Sequence, residues 1–189
     1  LSIDHHSDFN LAGTDFTVEC WIKTTDNSGG ICGKGMTSSQ SQGWAFYMWD
    51  DKLVVNKGGT GSTHESTSGT TAVNDDQWHH VALSREGNTW RIFLDGSLDG
   101  SATFTSDIID GTGTDFHLGS IYSMTSGSGY LILDGYLDDF RFTRGVARYT
   151  SNFPPTENSD QACPPVTASP TPTPRPPCDE HWDSVKLLI

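Results

Sequence analysis

The chain has 189 residues and a formal net charge of −13, from 24 Asp and Glu against 11 Lys and Arg. That length makes one domain plus a tail, or one large all-β domain, with enough chain to bury a core. The charge excludes nucleic-acid partners, because no basic patch meets phosphates, and the lack of about 18 consecutive apolar residues excludes an inserted membrane helix. Twenty Gly, six Trp and many Ser and Thr favour strands and turns. The acidity suits a solvated secreted surface, or carboxylates that hold Ca²⁺. The first residues lack Met and any signal-peptide pattern, as expected after processing or truncation.

In chain order, residues 1–3 read as a strand end entering a polar loop, 4–15. Residues 16–23 alternate. Phe16, Val18, Cys20 and Ile22 share one face, predicted to be core, and Thr17, Glu19, Trp21 and Lys23 share a more mixed one. Residues 31–34 are the predicted hairpin partner, followed by a Ser/Gln/Gly loop. Residues 44–49 and 53–56 form a hairpin across Asp50, Asp51 and Lys52. Residues 57–77 read as a long Gly/Ser/Thr loop without structure of its own, a length that often carries function.

The clearest segment is 78–96, WHHVALSREGNTWRIFLDG. Two period-2 runs flank Glu86, Gly87 and Asn88, which is a hairpin signal, and Asp95-Gly96 opens a second turn. Strands at 98–104, 116–119, 130–134 and 136–143 follow, with 120–129 as a Gly/Ser loop. Residues 144–149 read as a short turn or helical piece, and 152–155 end the globular part. About twelve short strands without a convincing helix mean a two-sheet antiparallel sandwich or jelly roll.

Four Cys allow three pairings. If the strands at 16–23 and 31–34 pair as a hairpin, Cys20 and Cys32 come close enough for a disulfide; two buried thiols are the alternative. Cys163 and Cys178 bracket PPVTASPTPTPRPP, and point to an oxidising, extracellular setting. That segment is half proline, stiff and extended, and Thr167, Ser169, Thr171 and Thr173 are candidate O-glycosylation sites. It ends in CDEHWDSVKLLI, where Val185, Leu187 and Ile189 share a face as one more strand. The organisation is therefore a domain over 1–157, a Pro/Thr-rich linker over 158–178 and a terminal strand over 179–189.

Taken together, FTVECWIK, WHHVALS, WRIFLDG and GYLDDFRFT resemble the laminin-G-like, concanavalin A-like jelly-roll family. RGVARYTSNFPP is similar to the closing segment of such domains in phage and marine microbial proteins. The resemblance covers residues 1 to about 155 and implies an all-β jelly roll. Such domains usually open with a strand of the type W-D-x-V-x-L-L. Here that strand is missing at the front, and WDSVKLLI stands at the back.

Three readings follow. The chain is a piece of a tandem array; or Trp182, Val185, Leu187 and Ile189 complete a neighbouring copy by strand donation; or the strand folds back into its own domain. Donation would join copies head to tail, because a sheet lacking a strand exposes unpaired backbone groups. The expected function on that reading is a non-enzymatic structural or adhesion module at a cell surface or on a virion appendage. A calcium-dependent carbohydrate-binding domain is the alternative.

The resemblance also implies that Ca²⁺ sits at a loop rim, for which Asp50, Asp51, Asp75, Asp76, Asp95 and Asp99 are candidates. Trp44, Trp49, Trp78, Trp90, Tyr122 and Tyr130 are candidate stacking platforms for a sugar, Tyr122 being the least core-like, with core packing as the alternative for each. No catalytic residue is assigned. Family glycosidases carry paired acids on one strand face, whereas Asp138 and Asp139 are neighbours and point apart; one of them is expected to pair with Arg141. His79 and His80 likewise point apart.

Overall fold

The computed structural model describes residues 1–36, 42–59, 64–111, 113–122 and 129–155, together with the backbone of residues 187 and 188. The strands are β1 (Ser2–Ile3), β2 (Phe16–Thr24), β3 (Gly29–Lys34), β4 (Trp44–Trp49), β5 (Lys52–Gly58), β6 (His64–Ala72) and β7 (His79–Glu86). They continue with β8 (Thr89–Leu94), β9 (Ser97–Thr103), β10 (Phe116–Leu118), β11 (Ser120–Tyr122), β12 (Tyr130–Ile132), β13 (Gly135–Arg144) and β14 (Leu187–Leu188). Ser7–Phe9 is a single 3-10 turn. No helix among the described residues is long and apolar enough to cross a membrane.

Two antiparallel sheets face each other as a jelly-roll sandwich. The first runs β1-β10-β3-β4-β5-β6 and the second β14-β13-β2-β7-β8-β9, while β11 and β12 form a separate ribbon. The alternation read from the sequence sets the core. Phe16, Val18, Cys20 and Ile22 of β2 meet Trp44, Phe46 and Met48 of β4, with Leu53, Val55, Val81, Leu83, Trp90 and Ile92 around them. The turns are where the sequence put them. Asp50 and Asp51 both have positive φ, as do Asp95 and Gly96; each pair closes a two-residue hairpin loop whose twist matches the flanking strands.

The outer faces depart from the sequence reading. β2 is buried on both faces: Thr17, Glu19 and Trp21 are as inaccessible as the core side. Residues 145–155 cover them, with Tyr149 stacked on Phe153 at 3.5 Å and Phe93 packed edge-on against both. Residues 146–149 are irregular rather than helical.

Four further expectations are corrected. β2 and β3 are not a hairpin: β2 pairs with β13 and β7 in one sheet, and β3 with β10 and β4 in the other. Cys20 and Cys32 are accordingly buried, unbonded thiols, and burial pushes both thiols up, away from ionisation. Residues 57–77 are not a loop throughout, because β6 pairs along β5 as an edge strand. Its Ser, Thr and Gly carry no apolar contrast, so period 2 was invisible. Residues 120–122, expected in a loop, form β11. Arg141 pairs with Glu19, its Nε donating at 2.6 Å.

The terminal strand is not detached. Leu187 and Leu188 add to β13 opposite Leu137 and Tyr136 of their own chain. The slot beside β13 is thus filled by the chain's own terminal strand. Cys163, Cys178, Trp182, Val185, Ile189 and the hydroxyls of Thr167, Ser169, Thr171 and Thr173 lie outside the described residues.

Candidate ligand-binding cleft

The ribbon creates the site. Its Ile121 and Leu131 pack with Met36, Ala45, Tyr47 and Val54 on the outer face of the first sheet. Glycines permit that approach. A Cβ on Gly30 would strike the backbone of Ile121 and stand 2.6 Å from the Leu131 carbonyl, and one on Gly33 would stand 3.2 Å from the Ile121 side chain. The Gly119 and Leu133 amides donate to the Ile31 and Gly119 carbonyls at 2.7 and 3.0 Å, tying the ribbon's base to β3.

Beside the ribbon lies a cleft of about 270 Å³, with Gly33, Thr114, Asp115, His117, Tyr122 and Tyr130 among its lining residues. Tyr122 and Tyr130 are directly paired across the ribbon and meet edge to face at 5.9 Å, and His117 stands 5.1 Å from Tyr130. Tyr130 is 54% exposed. Tyr122, Tyr130 and His117 form an aromatic wall, and Asp115 and Thr114 add polar groups to the same lining. Asp115 accepts from the Ser2 hydroxyl at 2.9 Å. Thr114 donates its hydroxyl to Gly111 at 2.7 Å. Burial lowers the His117 pKa, against the pull of Asp115, so its imidazole is neutral near pH 7 and can both donate and accept. Lys34 also lines the cleft, but its ammonium donates to Asn10 Oδ1 at 2.8 Å and to the Gly111 carbonyl at 3.2 Å.

Of the residues expected to bind a sugar, Tyr122 and Tyr130 lie in the cleft. Trp49 is 47% exposed at the end of β4 and is not part of the cleft. Trp44 and Trp90 belong to the core. Asp115, Thr114 and His117 were missed. They flank or belong to β10, a three-residue strand whose sequence, FHL, offers little periodicity; the only signal was His117 alternating with buried Phe116 and Leu118.

The six aspartates proposed for calcium are engaged within the fold. Asp51 accepts from Asn74 at 2.9 Å. Asp99 accepts from the hydroxyls of Thr70 and Thr71 at 3.0 and 2.7 Å. Asp75 and Asp95 hold His79 from two sides, at 3.0 and 2.8 Å, and Asp76 lies 3.6 Å from the Lys23 ammonium. Asp50 serves the turn. Among the described residues no three His, Cys, Asp or Glu side chains are grouped to hold a metal ion.

A second polar centre lies under residues 145–155. Glu19, only 2% exposed, accepts from Arg141 Nε and Tyr149 Oη, each at 2.6 Å, with His80 at 3.3 Å and Arg148 at 3.5 Å. Burial opposes its ionisation, but the hydrogen bonds from His80, Arg141 and Tyr149 outweigh that and lower the carboxyl to about 2. The centre is sealed by Tyr149 and Phe153 and serves as a structural lock.

The comparisons agree with this architecture. No curated protein matches the sequence. Solved structures with a similar fold include the carbohydrate-binding module CBM40 of a Ruminococcus gnavus IT-sialidase bound to α2,3-sialyllactose. It is 15% identical with a TM-score of 0.55, over 76% of this chain and 85% of that one. A putative carbohydrate-binding protein from Bacteroides ovatus is 18% identical with a TM-score of 0.58, over 78% of this chain and 42% of that one. The LG1-3 region of the laminin α2 chain is 13% identical with a TM-score of 0.55, over 78% and 31%. The family profile Laminin_G_3 matches residues 2–147, and the chain therefore belongs to the concanavalin A-like lectin/glucanases superfamily.

Proposed function

We propose that this chain is an extracellular carbohydrate-binding module, not a catalyst, and that the cleft beside the β11–β12 ribbon is its sugar site. The observation that carries the reading is one cleft lined together by the aromatic cluster of Tyr122, Tyr130 and His117 and by the polar side chains of Asp115 and Thr114. A pyranose has an apolar C–H face and a rim of hydroxyls. An aromatic face takes the first, and a carboxylate, a hydroxyl and a neutral imidazole take the second. The volume sits near the lower end of the roughly 300–1,000 Å³ usual for ligand pockets, which suits a short glycan terminus. The R. gnavus and B. ovatus proteins lend support as binding modules on the same fold.

Calcium has no part in this reading, since the rim aspartates are engaged in turns and side-chain hydrogen bonds. A glycan array probed with the full chain, with and without EDTA, is the test. Binding that survives EDTA and is lost in Tyr130→Ala supports the cleft. Binding lost only in EDTA would return the site to the aspartate rim, and a blank array would end the glycan reading.

A further inference from the structure

We infer that the cleft selects uncharged sugars and rejects sialylated or sulfated ones; this rests on the glycan reading above and names its ligand class. The reason is the disposition of charge. A sugar carboxylate or sulfate needs a cation directed at it. Among the described residues that line the cleft, Lys34 is the one Lys or Arg, and its ammonium donates away to Asn10 and Gly111. The carboxylate of Asp115 is in the lining, where it accepts a hydroxyl hydrogen bond from Ser2. It is therefore suited to accept from sugar hydroxyls and to repel a sugar acid. The net charge of −13 adds a long-range field of the same sign.

The remaining groups are neutral ones. The hydroxyls of Thr114, Tyr122 and Tyr130 and the His117 ring donate or accept without selecting a charge. The exposed face of Tyr130 is an apolar platform. The R. gnavus module solved with sialyllactose takes an acidic sugar on the same fold, so this chain would differ from it in ligand class.

The experiment is an array of neutral, sialylated and sulfated glycans probed with the full chain, followed by titration of the best neutral glycan and its sialylated counterpart. The neutral glycan should bind at least about tenfold more tightly, a difference of about 1.4 kcal/mol, and its affinity should change little between low and high NaCl. Asp115→Asn should narrow that ratio by strengthening the acidic ligand, and Trp49→Ala should leave both affinities unchanged. An unfolding midpoint equal to that of the parent shows that Asp115→Asn is folded. Tighter binding of the acidic glycan, lost in Tyr130→Ala, overturns this inference while keeping the cleft. No binding of any glycan overturns the cleft and this inference together.

Discussion

Both sheets of the sandwich are covered on their outer faces, by opposite means. Over the second sheet, residues 145–155 press Tyr149 and Phe153 onto a buried carboxylate that holds two arginines and a histidine. Over the first, the ribbon lies on glycines and aliphatic side chains, and one flank stays open as a cleft. A cover tied down by ion pairs and hydrogen bonds from its own side chains closes over its sheet. A cover seated mainly by shape, with backbone hydrogen bonds at its base, can stop short and leave an open flank.

Glu19→Gln should separate the two covers most sharply. It leaves Arg141, Arg148 and His80 without their counter-charge; both arginines are more than a third exposed, so the change costs about 1–3 kcal/mol. Urea unfolding should show that loss, and a cost below about 1 kcal/mol would mean that residues 145–155 are held by their rings alone. Acid tests the same centre from the solvent side. Glu19 is ionised when folded down to about 2, against 4.5 as its ordinary value. Its contribution, on the order of 3 kcal/mol, is complete above about pH 4.5 and is lost as the pH falls toward 2. Glu65 is held down in the same sense: burial opposes it, but hydrogen bonds from Lys57, Thr105 and Ser106 prevail. Stability that is flat from pH 5 to pH 2 would contradict both.

On the other face, Gly30→Ala should cost about 1–3 kcal/mol by overpacking and should also abolish ligand binding, because the ribbon must lift. Gly87→Ala is the control. Gly87 has a φ of +56° but nothing within 4 Å of the added carbon, so it should cost about 1 kcal/mol and leave binding intact. Deleting residues 182–189 should bare the β13 edge and raise self-association in light scattering; polymers that vanish on deletion would instead restore head-to-tail joining. Tyr130→Ala should be the mildest, within about 0.5 kcal/mol in stability, with its whole effect in binding.

Much of the fold was legible. The alternation of β2, β4, β7 and β8 and the Asp-Asp and Asp-Gly turns are local signals. Apolar contrast at period 2 and residues that tolerate positive φ act over two to eight positions. β6 was not legible, because HESTSGTTA carries the spacing without the contrast. The cysteine pairing failed for a related reason. Cys20 and Cys32 are near in sequence, but the chain changes sheet between them, and no local feature of residues 24–29 announces that. The site was half legible. Tyr122 stood out as an aromatic among Gly and Ser, whereas Asp115 and His117 have meaning only because β10 lies beside the ribbon.

By itself, the sequence determined the class of fold, the inward face of β2, β4, β7 and β8, and the hairpin turns. All of these follow from interactions between near neighbours. Tertiary structure alone decided what covers the outer faces, that Glu19 takes Arg141, that the last strand pairs within its own chain, and that Tyr122, Tyr130, His117 and Asp115 share a cleft. Those outcomes depend on contacts between residues from 8 to more than 120 positions apart. Their free energy comes from fitting one surface against another, and no stretch of chain carries that fit alone.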